Sequence, residues 1–112
     1  MKRALIIVCP WLKVNAMAIF PFILIKQAHL KHNAQLIRHE TIHLRQELEL
    51  LIIPFYILYL LNYLVNLSRY RDHDKAYLNI VFEREAYKYE ADMNYLKHRS
   101  FWAWIKFINN QQ

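Results

Sequence analysis

From residue 33 onward, apolar residues recur at three- and four-residue intervals, as on a helix: Leu36, Ile37, Ile42, Leu44 and Leu48, with Arg38, Arg45, Gln46 and Glu47 at polar positions. Asn33 is placed to cap this helix. It is expected to run to about Ile53, because Pro54 lacks a backbone donor and its ring clashes with the preceding turn. A second helix follows from Phe55 to about Leu67, then a charged hinge from Ser68 to Asp74. A last long helix, capped by Asp74, is expected from Lys75 to about Arg99, with Leu78, Val81, Phe82, Met93 and Leu96 as core candidates. The aromatic run Phe101-Trp102-Ala103-Trp104-Ile105 and Phe107 is expected to dock onto the core, the rival being a membrane interface.

Ahead of residue 33 the pattern is shorter and denser. Ala18 to Ile25 is apolar and rich in β-branched and aromatic residues, which predicts a strand, with Pro21 assigning it to a sheet edge. Lys2-Arg3 followed by Ala4 to Leu12 resembles the core of a signal peptide, but Pro10 and Lys13 interrupt it, so a buried strand is the favoured reading. His29 and His32 fall in a polar connector and are expected to be solvated, as is His73 between Asp72 and Asp74.

Leu50 to Leu67 is the most apolar stretch, eighteen residues long. As a helix it would reach roughly 27 Å against a hydrocarbon core of roughly 30 Å. A straight span would also put His43 and Glu83 on opposite sides of a bilayer. The predicted alternative is a bend near Pro54 that brings residues 80–90 back beside residues 39–43. The chain has 112 residues, no Gly, three Pro and one Cys. This predicts one domain over residues 1–112, of the mainly α, α+β class, with three or four helices and a short N-terminal strand or hairpin packed on the first helix. The single Cys9 excludes an internal disulfide and a CxxC zinc site. The net charge of +6 is spread from Lys2 to Lys106 without a nucleic-acid-binding signature. No nucleic acid is expected as partner, and an anionic membrane surface is the alternative contact.

Within the first predicted helix lies His39-Glu40-Thr41-Ile42-His43, an H-E-x-x-H run. Histidines four apart on a helix project from one face, so both can reach one metal ion. Glu40, beside the first, is placed to take a proton from water acidified by that ion. The chemistry this pattern supports is zinc-assisted hydrolysis of a peptide bond.

A third ligand is suggested by resemblance. Phe82-Glu83-Arg84-Glu85-Ala86-Tyr87 is similar to the later helix of gluzincin metalloproteases, where a Glu completes the site, a small residue follows three on and an Asp four on braces a histidine. The resemblance implies Glu83 as ligand and places Tyr87, in place of that Asp, to hydrogen-bond a ligand through its hydroxyl. Glu83, Tyr87 and Glu90 share one helix face. Glu85, roughly 200° round the helix from Glu83, is the alternative third ligand. Together with Phe20-Pro21-Phe22 and the Phe-Trp tail, these motifs resemble a family of small, uncharacterised bacterial proteins classed by sequence as zinc metallopeptidases. That implies a minimal zincin fold without an established substrate; the H-E-x-x-H chemistry itself points to a Zn2+ cofactor and a peptide or protein substrate, with the chain expected in the cytoplasm or at a membrane. The rival reading is a membrane-associated structural or partner-binding protein whose H-E-x-x-H is non-catalytic or coincidental.

Overall fold

In the computed structural model, which describes residues 5–108, the Asn33 side chain accepts a hydrogen bond from the Leu36 N–H at 3.1 Å and opens helix α1, Ala34–Glu49. The helix ends earlier than Pro54 would end it. Leu51 stands in the left-handed region at φ 59, and the N–H groups of Leu51 and Ile52 reach back to the carbonyls of Leu48 (3.4 Å) and Glu47 (2.8 Å). This is the Schellman closure that normally uses glycine at its left-handed position. The chain has no glycine, so Leu51 adopts a conformation that costs roughly 1–2 kcal/mol for a residue with a Cβ. Pro54 instead lies in the first turn of α2, Ile53–Tyr70, where no intrahelical N–H is required. The axes of α1 and α2 differ by 113°. No single helix among the described residues is long and apolar enough to cross a membrane.

The expected single helix from Lys75 to Arg99 is three: α3 at His73–Leu78, α4 at Val81–Tyr89 and α5 at Tyr95–His98. That makes five α-helices rather than three or four, and the polar side chains at the breaks supply the reason. Asp72, not Asp74, caps α3 by accepting from the Lys75 N–H at 2.9 Å. The Asn79 side chain donates to the Lys75 carbonyl at 2.9 Å and closes α3. Asn62 of α2 then accepts from the Val81 N–H at 2.7 Å, satisfying one of the orphan donors at the start of α4. Asp92 turns the chain again by accepting from the Asn94 N–H at 2.9 Å. Leu78 and Met93 are exposed as a result, whereas Val81 and Phe82 are buried.

The N-terminal segment forms three strands, β1 at Leu5–Val8, β2 at Ala16–Ile19 and β3 at Phe22–Ile25, in the order β1-β3-β2. Of the expected strand or hairpin over Ala18–Ile25 the structure has the hairpin, and Phe22–Ile25 lies at the centre of the sheet, not at its edge. Pro21, which cannot donate to a ladder, stands in the hairpin turn, and β3 is parallel to β1 and antiparallel to β2. β1 pairs along its whole length, Leu5 with Phe22 through Val8 with Ile25, but its side chains are exposed rather than buried. Lys2, Arg3 and Ala4 lie outside the described residues. Ala18, Ile23 and Ile25 pack on Leu44 of α1, and Ile42 packs on Ala86 and Tyr95. Phe55, Ile80, Val81 and Phe82 form the largest core together with Trp104 and Phe107, so the aromatic tail docks, through a 3-10 turn over Ala103–Phe107.

Candidate metal centre

Ile42 and Ala86 are both fully buried where α1 meets α4. The small Ala86 side chain lets the helices approach closely enough for side chains within one turn of that contact to meet. His39 and His43, one turn apart on α1, present their Nε2 atoms to the same oxygen, Oε1 of Glu83, at 3.1 and 3.0 Å. One ligand atom from each of the three residues lies within 4.8 Å of the others, and all three residues are buried.

The other ring nitrogens are held as well. His39 Nδ1 lies 2.7 Å from Glu90 Oε1, a pure acceptor when ionised, so Nδ1 carries the proton. Gln46 uses its Nε2 to donate to the Phe82 carbonyl (3.0 Å) and to Glu85 Oε1 (2.9 Å), which leaves its Oε1 to accept from His43 Nδ1 at 2.8 Å. With both Nδ1 atoms protonated, neutral imidazoles would aim two Nε2 lone pairs at a carboxylate oxygen. That arrangement repels itself unless a positive charge, either protons or a metal ion, occupies the point of convergence.

The titration behaviour has the same origin. Burial alone would lower His43, but the Glu83 carboxylate beside it pushes it up to about 10. Burial opposes ionisation of Glu83 too, yet His43, the hydrogen bonds from both histidines and that from Tyr59 hold its carboxyl well below the usual range. Tyr59 Oη donates to Glu83 Oε2 at 2.5 Å. Glu40 is not among the converging atoms; it is buried next to them, and that burial raises its carboxyl.

Two cavities, of about 840 and 300 Å³, open on either side of Glu40 and share Val14, Ala16, Glu40 and Tyr77 in their walls. The first also has Lys13, His39 and His73 on its walls; the second is apolar, with Met17, Ala18, Phe55 and Tyr56. The outer edge of β2 borders the second. Its Ala18 carbonyl already accepts from Tyr56 Oη (2.5 Å), and the Phe20 N–H donates to Glu47 (2.8 Å).

Glu47 is fully buried at this edge, and burial raises its carboxyl to about 7 against the hydrogen bonds from Phe20 and Tyr56. A raised folded-state pKa means that folding favours the protonated form. Its contribution to stability is therefore complete below the ordinary carboxylate range and is lost as pH rises towards 7. Glu47→Gln keeps an acceptor for Phe20 and carries no charge. It is expected to raise Tm at and above pH 7 and to flatten the Tm profile between about pH 5 and pH 7. Thermal denaturation across that range, with wild type and variant giving parallel profiles, would refute the assignment.

His39 and His43, singled out by spacing, come together with Glu83, which the resemblance implied, and Glu40 adjoins them. Glu85 points the other way: it is fully buried and takes hydrogen bonds from Tyr95 Oη (2.5 Å), Arg99 Nε (2.5 Å) and Gln46. Tyr87 touches His39 with its ring, centroids 4.4 Å apart, while its hydroxyl meets that of Tyr77 at 3.2 Å. The carboxylate that braces His39 is that of Glu90, two helical turns beyond Glu83, and Gln46 does the same for His43. Both spacings carry a signal, Gln46 three residues beyond His43 and Glu90 on the face of Glu83. Tyr59 comes from a separate helix, and no local spacing ties it to Glu83. His29, His32 and His73 are exposed. No family model, no curated protein and no solved structure matches the chain.

Proposed function

We propose that the chain is a zinc-dependent peptide hydrolase of the gluzincin kind that its sequence resembles, with His39, His43 and Glu83 as ligands. The observation that carries this reading is the convergence of two Nε2 atoms and one carboxylate oxygen on a single buried point, with both Nδ1 protons committed elsewhere. Two imidazoles and a carboxylate are a donor set that suits zinc. Bound there, the ion would polarise the scissile carbonyl and lower the pKa of water towards about 7. Glu40 is the base: its carboxylate receives the proton from that water and passes it to the leaving amine nitrogen. The peptide would lie in the two cavities, with the bond to be cut beside Glu40.

Metal analysis of protein purified from zinc-replete medium should give one zinc per chain, absent in His39→Ala. Folded wild-type protein without zinc would overturn the reading. Glu90→Ala removes the brace on His39 Nδ1 and is expected to weaken zinc binding about 10- to 100-fold without abolishing it. Competition with a chelator of known affinity measures that loss, and an unchanged dissociation constant would remove Glu90 from the site.

A further inference from the structure

The face of α2 that points away from the core carries Ile53, Ile57, Leu60, Leu61 and Leu64 at the spacing of one helical stripe, and each is between 48% and 72% exposed. The stripe does not end with the helix. Leu58, Leu61 and Val65 form one wall of a groove of about 300 Å³ whose other wall is Trp104 and Ile108 of the docked tail. At the C-terminal end of α2, Tyr70 borders a further cavity of about 800 Å³, lined also by Lys75, Asn79, Arg84, Lys88 and Phe107. Phe107 and Ile108, adjacent in the chain, join this cavity to the groove. Among the described residues no carboxylate lines the cavity. The sequence carries no Asp or Glu from residue 50 to 71 or from 93 to 112.

We infer that this side of the molecule docks on an anionic phospholipid surface, the stripe of α2 resting on the acyl region and the cavity beyond Tyr70 receiving a lipid phosphate through Lys75 and Lys88. An exposed apolar strip needs an apolar partner, and a cavity with the exposed Lys75 and Lys88 on its walls and no carboxylate attracts an anion. A bilayer containing anionic lipid offers both within one headgroup depth. A second copy of the chain would supply apolar surface but no acidic group from α2 or the tail to answer the cations. From Ile53 to Val65 the stripe is roughly 18 Å long, enough to lie along an interface and too short to cross one. This inference does not rest on the metal centre: Tyr56 and Tyr59, which reach Ala18 and Glu83, leave α2 on a different flank.

Flotation of the purified full chain with phosphatidylcholine vesicles, with and without phosphatidylglycerol, tests it. The protein should float only with the anionic vesicles, and less so as salt is raised. Lys75→Glu with Lys88→Glu should lower partitioning about tenfold or more, and Ile57→Asn with Leu64→Asn should do the same, with helix content unchanged by circular dichroism. Lys75→Glu alone, at an exposed position, serves if the double variant fails to fold. No flotation, or flotation insensitive to both pairs of substitutions, overturns the inference. So does calorimetric binding of inorganic phosphate without vesicle binding, which would indicate a small-anion site. A concentration-dependent dimer lost in Ile57→Asn with Leu64→Asn, without vesicle binding, would assign the face to a second copy and overturn it as well.

Discussion

Glu40→Gln is expected to remove peptide hydrolysis, lowering kcat/KM by a factor of about 10² to 10⁴, while one zinc per chain stays in place. The side chain keeps its shape and loses only the ability to accept a proton. Glu40 is not one of the three groups whose atoms converge, so metal binding has no reason to change. Burial disfavours its charge, so the neutral amide should leave Tm unchanged or raise it. Peptides cleaved by the wild type in a library screen provide the substrate, and zinc analysis of the same sample provides the control. A variant that retains both zinc and full activity would show that hydrolysis, if present, does not use this base. A wild type that holds zinc and cleaves nothing would make the ion structural.

What could be read from the sequence followed from local rules, and what could not depended on contacts between distant segments. Asn33 capping α1 and the shared face of His39 and His43 are both statements about neighbours one turn apart. The need for a bend between residues 43 and 83 followed from requiring the two to meet, and its place was legible to within a few residues of Pro54. Pro54 is the residue that looks like a breaker, yet the chain turns at Leu51, because the closing hydrogen bonds to Glu47 and Leu48 form without glycine. The three-way break of the return segment is set by Asn62, Asn79 and Asp92, polar side chains that helical periodicity treats only as solvent-facing positions. The same limit applies to the metal centre. The resemblance that proposes Glu83 does not reveal that Glu90, rather than Tyr87, braces His39, because that pairing depends on the depth and angle at which α4 crosses α1.

The choice between Glu83 and Glu85 shows how a carboxylate two residues from a proposed ligand can be buried for a different reason. Arg99, with its side chain 2% exposed, binds Glu85 through Nε (2.5 Å) and Nη2 (3.0 Å), and Glu49 through Nη1 (2.7 Å) and Nη2 (3.1 Å). One guanidinium thus pairs with two buried carboxylates, on α1 and α4, and ties both to the segment after α5. Arg99→Ala is expected to destabilise the chain by about 3–5 kcal/mol, because it leaves both carboxylates buried without a counter-charge. Urea denaturation measures this; a loss below about 1 kcal/mol would mean that the network is worth no more than a surface pair. Two substitutions on α4 should then separate the roles. Glu83→Ala loses zinc, whereas Glu85→Ala still binds zinc but with reduced stability. Its zinc affinity should fall slightly as well, since Gln46, which orients His43, loses one of its two acceptors and keeps only the Phe82 carbonyl. If Glu85→Ala instead lost the metal outright and Glu83→Ala kept it, the ligand assignment would be reversed.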